Sequence, residues 1–480
     1  MGTHRRFSRV GTKKKGREAM NDDLWRLTAT RMRELVVRRE VSREELVRAH
    51  LARIEQVNPK LNALVEQRAE QALAEAREAD AGHADRADLP LDGIPISIKD
   101  HYDVAGMKHT EGLPAMADRR STVDEVVVRR LRQVGAIVVG KANQPDLQIR
   151  WNTISHLYGA TLNPRDTSLS AGGSSGGDAA AVASGMAPLG LGLDYGGSIR
   201  VPATFCGIYG LRPSAGRTPA SSTLPPFDGP PSVDLMSCVG PLARCVEDLW
   251  LAYTVIAGPH WSDPATVPVP VSRSGANGRR PRIARMLDQT GALVSPEVAA
   301  RLDDTARMLA EAGYEVVDAA IPHARRAPEL WAEIIGTELM QTGMPEFGFL
   351  LGESNRQHIE AMFSIYNLGS EVRNYIQAFI ERRQVQREVA QWMEEHPLVL
   401  CPVAGMAAPA LDFDHMLDRE QTQQLFDRMR NIPWVNLLGL PSVALPNGMQ
   451  IVGRRFHEAQ ALEAAAAVQQ AIGAASIAEP

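Results

Sequence analysis

Two short glycine-rich segments carry serines that could act as nucleophiles. The first reads SLSAGGSSGG over residues 168–177, and the second reads LDYGGSIR over residues 193–200. Paired glycines let the backbone adopt positive φ and approach a ligand closely, and successive backbone amides in such turns can hold a negatively charged oxygen. The sequence therefore predicts two loops that each present a serine beside an anion-binding backbone.

Two familiar motifs could account for these loops. A phosphate-binding loop is disfavoured, because the lysine and Ser/Thr that complete a P-loop are missing and no G-x-G-x-x-G is present. An esterase of the α/β-hydrolase type is the second candidate, since Gly172, Ser174 and Gly176 match G-x-S-x-G with Ser174 as the nucleophile. That motif needs a strand directly before the serine, whereas residues 163–171 have the composition of a loop. The esterase stays open as the weaker alternative.

A third interpretation joins both serines to Lys99. Isoleucines alternate with other residues over 94–98 and Lys99 follows, which predicts a strand that ends in a charge. A serine hydroxyl is a weak nucleophile until a base accepts its proton, and a lysine amine can be that base only if desolvation lowers its pKa. Lys99, Ser174 and Ser198 could then act without a histidine. The alternative role of Lys99 is a salt bridge with a neighbouring aspartate.

These segments resemble the amidase-signature family. The matching motifs are GIPISIKD at 93–100, GGSSGG at 172–177 and DYGGSIRVPATFCGIYGLRPS at 194–214. The second serine follows the first by 198 − 174 = 24 residues, as the family pattern requires. Weaker similarity extends from Leu24 to Gly453. The resemblance implies an α/β fold, an α/β/α sandwich whose central mixed, mostly parallel twisted sheet is covered by helices on both faces.

The resemblance also implies a role for individual residues. Ser198 would be the nucleophile, Ser174 a bridging serine that follows a cis peptide bond, and Lys99 the base. The oxyanion hole would consist of the backbone amides of Tyr195, Gly196, Gly197 and Ser198. The side chains expected to brace the loops are Ser175, Asp194 and Arg200. The candidates for a substrate pocket are Tyr102, Trp151, Tyr158 and Cys206, of which the cysteine could instead be core packing.

The implied activity is cleavage of a carbon–nitrogen bond in a small amide-like substrate through an acyl-enzyme intermediate. An amide, an anilide or a carbamate would fit, and the same chemistry would cleave an ester. The family also includes subunits of amidotransferases, so the chain could instead work only with partner proteins. A catalytically inactive binding module is disfavoured, because all three candidate catalytic residues are present. The resemblance implies no cofactor and no metal.

Short apolar segments alternate with helical ones along most of the chain, which favours an α/β architecture. Near the start, helices are predicted over 24–39, 42–57 and about 61–80. Ser42 and Glu45 form a capping-box pattern, and Asn58-Pro59 is expected to end the second helix. Asn447-Gly448 favours a tight hairpin turn. The predicted strands are 94–98, 136–139, 189–193, 282–287, 315–321, 398–402 and 442–445.

The chain is expected to form one catalytic domain. Residues 1–20 are basic and predicted to be a disordered leader, and residues 21–480 a single amidase domain with its signature core at 91–260. A helical insert over about 330–395 could shape the substrate entrance. Its aromatic and methionine residues recur at helical spacing, which usually indicates core packing.

Composition narrows the class of protein and partner. The chain has 480 residues, 44% of them hydrophobic and 23% charged, which is typical of a globular protein. A net charge of −5 would not attract nucleic acid, so the expected partner is a small-molecule substrate. Four widely spaced cysteines indicate reduced core thiols. With no signal peptide or membrane segment evident, we expect a cytoplasmic protein that is a monomer or a homodimer.

Overall fold

A computed structural model describes residues 23–82, 86, 88–220, 229–273, 280–365, 372–415 and 417–480. The predicted leader 1–20 lies outside the described residues. The strands are β1 (Leu64–Gln67), β2 (Pro95–Lys99), β3 (Ile137–Ala142), β4 (Ile154–Ser155), β5 (Gly159–Ala160), β6 (Leu189–Asp194), β7 (Tyr209–Arg212), β8 (Cys238–Ala243), β9 (Ile283–Arg285), β10 (Val316–Asp318), β11 (Leu398–Pro402), β12 (Ser442–Ala444) and β13 (Met449–Gly453).

Helices fill most of the chain between these strands. They are α1 (Ala29–Val37), α2 (Arg43–Leu61), α3 (Ala69–Ala81), α4 (Val126–Gln133), α5 (Gly176–Ala183), α6 (Arg200–Phe205), α7 (Pro231–Met236), α8 (Val246–Ile256), α9 (Pro296–Glu311), α10 (Arg326–Glu338), α11 (Met344–Phe347), α12 (Glu353–Ser364), α13 (Val372–Trp392), α14 (Arg419–Met429), α15 (Pro433–Leu438) and α16 (Glu458–Ile472). None of them, within the described part of the chain, has the length and the apolar run needed to cross a bilayer.

An 11-stranded mixed sheet organises the molecule, in the order β1-β3-β2-β6-β8-β7-β12-β13-β11-β9-β10. Parallel pairing links β3, β2 and β6 on one side and β11, β9 and β10 on the other. The strands between these two groups pair antiparallel. A separate two-stranded ribbon is formed by β4 and β5.

Helices cover both faces of this sheet, as the sequence predicts. Val138 of β3 packs in a hydrophobic cluster with Leu249 of α8 and Val468 of α16. Its neighbour Val139 packs in a second cluster with Ala180 of α5. Successive side chains of a strand point to opposite faces, so the two clusters lie on opposite sides of the sheet. Strands covered in this way are shielded from water on both faces.

The first helices differ in part from the prediction. The capping box of α2 is present, but the helix continues through Pro59 to Leu61 and ends at the left-handed Asn62. A proline inside a helix removes one hydrogen bond donor, so α2 passes Pro59 with one backbone hydrogen bond fewer. The helix predicted over 61–80 is also wrong at its start, because residues 64–67 form β1. Antiparallel pairing of β1 with β3 overrides the local preference for helix there.

The remaining predictions hold in outline. β12 and β13 pair through a tight turn in which Gly448 has a positive φ of 93°. The four cysteines are buried and free, as expected. Helices occupy the predicted insert, joined by a π-helical turn at Leu339–Gly343. β7 and β8 are absent from the prediction, because glycine and proline interrupt their apolar patterns.

Candidate active site

Lys99 is the last residue of β2, and its side chain is fully buried at 0% exposure. The Nζ atom donates a hydrogen bond to Ser174 Oγ at 2.7 Å. Burial lowers the pKa of Lys99 to about 7, against the opposing effect of the carboxylates of Asp178, Glu111 and Asp194. The amine is therefore available in its neutral form near neutral pH, in contact with a hydroxyl that can exchange a proton with it.

Ser174 lies in the loop that leads into α5, and the Gly173–Ser174 peptide bond is cis. The loop fits closely against its neighbours: a Cβ at Gly173 would lie 2.7 Å from the carbonyl oxygen of Arg150. No strand directly precedes Ser174 in this described stretch, and α5 begins only at Gly176. The strand–serine–helix geometry of an α/β-hydrolase is therefore missing, as the composition of residues 163–171 indicates.

Ser198 lies in the short loop between β6 and α6, beside Asp194 at the end of β6. The Asp194 carboxylate accepts hydrogen bonds from the backbone N–H of Gly197 at 2.9 Å and from Arg200 Nε at 3.0 Å. Burial alone would raise the pKa of Asp194, but the guanidinium groups of Arg200 and Arg212 hold it far below its ordinary value. The buried ion pair thus holds the backbone of residues 195–199, which we call the nucleophile loop after the role predicted for Ser198.

The two serine loops contact each other through their backbones. The N–H of Ser175 donates to the carbonyl oxygen of Ser198 at 3.2 Å, and Ser175 Oγ lies 3.4 Å from both the N and the O of Leu193. Ser198 is 8% exposed, and its hydroxyl makes no hydrogen bond to the described residues. The structure therefore places Ser174 against Lys99 and Ser198 beside Ser175, with the Ser198 hydroxyl free of other partners within the described chain.

The backbone amides of the nucleophile loop are not equivalent. The Gly197 amide is already bound to Asp194, as described above. The amides of Tyr195, Gly196 and Ser198 make no hydrogen bond to any described residue. Gly197 has a positive φ of 99°, a backbone conformation that favours glycine. Three of the four predicted oxyanion-hole amides thus remain available for a ligand.

Two tryptophans hold the carbonyl groups of the same loop. Trp151 Nε1 donates to the Gly196 carbonyl oxygen at 2.7 Å, and Trp331 Nε1 of α10 donates to the Tyr195 carbonyl oxygen at 3.3 Å. The ring of Trp331 also lies so close that a Cβ at Gly196 would be 2.7 Å from its Cζ2. A larger residue at position 196 would therefore force the Trp331 ring to move, and the helical insert contacts the nucleophile loop directly.

Two buried acids near these loops are absent from the residues predicted from the sequence. Asp178 of α5 accepts a hydrogen bond from Ser97 Oγ at 2.7 Å, and burial raises its pKa to about 7. Glu338, at the end of α10, accepts from Tyr375 at 2.6 Å and from the Ser232 hydroxyl, which also contacts the Tyr195 hydroxyl. The only sequence signal was Asp178 itself, a lone charge in the otherwise uncharged stretch that follows Ser174.

Of the four residues predicted to line a substrate pocket, Trp151 lines a cavity between α12 and α14 and is 6% exposed. Tyr102 is instead buried in the core, where its hydroxyl donates to the Gly192 carbonyl oxygen at 3.0 Å. Cys206 is buried against the Ala171 carbonyl oxygen, in agreement with core packing. Tyr158 lies between β4 and β5, and its carbonyl oxygen accepts from Asn62 at 2.7 Å.

A cluster of potential metal ligands lies just beyond β2. Donor atoms of His101, His109 and Glu111 all lie within 4.8 Å of one another. Glu111 Oε1 is 2.7 Å from His101 Nδ1 and 3.0 Å from His109 Nε2, and His109 Nδ1 is 2.9 Å from Asp103. Burial would lower the pKa of His109, but the carboxylates of Asp103 and Glu111 raise it to about 9. Protonated His109 can thus donate one hydrogen bond to Asp103 and one to Glu111.

Comparison with known proteins places this site in a family. Residues 45–462 match the family described as Amidase. The chain belongs to the amidase-signature family. It is 34% identical over 466 residues to an indoleacetamide hydrolase of Bradyrhizobium diazoefficiens, covering 94% of this chain and 87% of that protein. It is 32% identical to a glutamyl-tRNA(Gln) amidotransferase subunit of Moorella thermoacetica, covering 93% and 97%.

Solved structures of the family have the same fold. A bacterial aryl acylamidase superposes with a TM-score of 0.79 at 26% identity, covering 93% of this chain and 96% of that one. The present chain is thus an amidase-family hydrolase that acts on carbon–nitrogen bonds of amides.

Proposed function

We propose that the chain cleaves a small amide-like substrate, an amide, an anilide or a carbamate, through an acyl-enzyme intermediate on Ser198. The observation that carries this proposal is the 2.7 Å hydrogen bond between a fully buried lysine and the hydroxyl of Ser174. A lysine whose pKa burial lowers to about 7 can accept a proton at neutral pH. We propose that the substrate is a small molecule and that no cofactor takes part in the reaction.

In the proposed cycle, Ser198 Oγ attacks the substrate carbonyl carbon and its proton passes to Ser174, whose own proton passes to the neutral amine of Lys99. The tetrahedral intermediate then collapses, and the protonated lysine returns a proton through Ser174 to the leaving nitrogen. Water attacks the acyl-enzyme by the same route, which regenerates the Ser198 hydroxyl and releases the acid. Amines are poor leaving groups, so delivery of this proton is the step that most requires the buried lysine.

The nucleophile loop would stabilise the oxyanion. The amides of Tyr195, Gly196 and Ser198 have no other partner in the described chain, whereas the Gly197 amide serves Asp194. Backbone donors fixed before the reaction stabilise a developing charge without reorganisation. We therefore assign the oxyanion hole to the three available amides, and a bracing role to Gly197, Asp194 and Arg200.

Labelling with a fluorophosphonate followed by peptide mapping tests the assignment. We expect the adduct on Ser198, and we expect it to be lost in Ser198→Ala. The matched control is Ser184→Ala, which removes the hydroxyl of a buried serine at the end of α5 and should keep the adduct. Measuring the hydrolysis of amide, anilide, carbamate and ester substrates by the same protein preparations identifies the type of bond that is cleaved. An adduct on Ser174 would reverse the roles of the two serines.

A second candidate function rests on the similarity to a subunit of a tRNA-dependent amidotransferase. In that case the chain would release or transfer ammonia only with partner proteins. The purified chain alone distinguishes the two functions. Turnover of a simple aryl amide without any added protein supports the independent hydrolase, and turnover only after addition of partner proteins supports the amidotransferase.

A further inference from the structure

A cavity of about 210 Å³ lies between α12, α14 and Trp151. Lys99, Ser174 and Ser198 do not line it. The link to the candidate active site is Trp151, whose indole N–H donates to the carbonyl oxygen of Gly196 in the nucleophile loop at 2.7 Å. One wall of the cavity is therefore attached to the loop that would hold the oxyanion. Most of the lining is apolar: Trp151, Ala361, Met362, Leu417, Leu425 and Phe426.

The volume and the aromatic walls of this cavity suit an aromatic group. An apolar cavity of about 150 Å³ is known to accept benzene, so this one can accept one ring or two fused rings but not a long acyl chain. The rings of Trp151 and Phe426 lie 6.1 Å apart, centroid to centroid, at an angle of 48°. Such tilted aromatic walls offer both ring faces and ring edges to a third ring.

The polar side chains of the lining have partners, with one exception. Asp414 forms a buried ion pair with Arg150, and Thr422 Oγ1 donates to the carbonyl oxygen of Asp418 at 2.7 Å. His358 is 7% exposed, and its Nε2 is buried without a hydrogen bond partner among the described residues. An unpaired buried polar atom is costly, so a ligand that supplies its partner is favoured.

The chemistry of His358 determines which partner it needs. Its Nδ1 is 3.1 Å from the carbonyl oxygen of Asp414, and because a carbonyl can only accept, Nδ1 must carry the hydrogen. Burial lowers the pKa of His358, despite the opposing effect of Asp414, so the ring is neutral. In a neutral ring with hydrogen on Nδ1, Nε2 is an acceptor. The missing group is therefore a hydrogen bond donor.

We propose that this cavity holds an aromatic ring system of the substrate that carries an N–H or O–H group, and that this group donates a hydrogen bond to His358 Nε2. The inference rests on the proposed amide hydrolysis and specifies its substrate class. Indoles and phenols combine an apolar aromatic body with a single donor. Simple aliphatic amides would leave both the cavity and His358 Nε2 unoccupied.

Matched substrates test the hydrogen bond. Indole-3-acetamide and its 1-methyl derivative differ only in the donor, on the acyl side of the scissile bond. 4-Hydroxyacetanilide and 4-methoxyacetanilide make the same comparison on the amine side. We expect kcat/KM to favour the donor by about tenfold in one of the two pairs, and His358→Leu to bring that ratio to about one. Equal ratios in wild type and His358→Leu would overturn the role of His358.

A filled cavity tests the location. Ala361→Trp places a bulky side chain in the lining, whereas Glu360→Trp adds the same side chain at the neighbouring exposed position of α12. We expect the ratio of kcat/KM for the preferred aryl substrate to that for acetamide to fall at least tenfold in Ala361→Trp and to stay at the wild-type value in Glu360→Trp. An unchanged ratio in both variants would place the aromatic ring elsewhere.

Calorimetry with Ser198→Ala separates this inference from the proposed function, because binding needs no turnover. We expect indole-3-acetamide or 4-hydroxyacetanilide to bind more tightly than its methylated analogue, and binding to weaken when Ala361→Trp is added. Fluorophosphonate labelling of Ser198 without such selectivity would refute the inference and keep the hydrolase. Selective binding without labelling or turnover would support the inference and refute the proposed hydrolase.

Discussion

Lys99 and Lys141 occupy the ends of neighbouring parallel strands, and both are fully buried. In the register of β2 and β3, Lys99 pairs with Ala142 and Ile98 pairs with Lys141. Paired residues share a face and successive residues alternate, so the two lysines point to opposite faces of the sheet. Burial lowers the pKa of both amines. The molecule thus contains two desolvated lysines at adjacent positions of neighbouring strands.

Their hydrogen bond partners differ in kind. Lys141 Nζ donates to the carbonyl oxygen of Asp100 at 3.0 Å and also to that of Tyr102. Carbonyl oxygens only accept, so this amine holds the turn after β2 in place and has no hydrogen bond partner from which it could take a proton. Lys99 instead contacts the hydroxyl of Ser174, which can both donate and accept. Burial alone therefore does not make a lysine a base; the partner must be able to give up a proton.

Replacing Lys99 should have the largest effect on activity. We expect Lys99→Met to lower kcat/KM about a thousandfold, because it removes the proton acceptor for the serine pair. Its thermal melting temperature should stay within a few degrees of wild type, since a desolvated amine with a single hydrogen bond is lost. Steady-state kinetics and circular dichroism measure the two effects. Wild-type activity in Lys99→Met near neutral pH would refute the lysine base.

Replacing Lys141 should act mainly on stability. Lys141→Met leaves the carbonyl oxygens of Asp100 and Tyr102 without their donor, which costs about 1–3 kcal/mol for each buried group. We expect a lower urea midpoint with kcat of the folded enzyme within about tenfold of wild type. If Lys141→Met instead abolished turnover and left the midpoint unchanged, the contrast between the two lysines would disappear.

The same contrast explains what the sequence could predict. Alternating isoleucines identify β2 and place Lys99 at its end, and paired glycines identify both serine loops, because these signals are local. The predicted second strand stops at residue 139, whereas β3 continues to Ala142 and includes Lys141. A charged residue within a strand usually lies at the protein surface. Lys141 is buried because a turn from another part of the chain supplies its acceptors.

Contacts between distant segments account for the other omissions. The hydrogen bond from Ser97 to Asp178 joins residues 81 positions apart, and the group around Glu338 joins α7, α10, α13 and the nucleophile loop. Neither follows from spacing within a segment. The direction of the Lys99 pKa shift was a requirement of the predicted mechanism, but its cause is the burial that only the folded sheet provides.

The pH dependence of activity should give the smallest and most specific effect. In the proposed cycle the neutral amine of Lys99 is the active form, so kcat/KM should rise as pH increases through about 7. The Asp178 carboxylate raises the pKa of Lys99, so Asp178→Asn should move this rise to lower pH. Lys141→Met should leave it in place, since that lysine lies on the other face. A rise that moved in Lys141→Met but not in Asp178→Asn would contradict the assignment of the titrating group to Lys99.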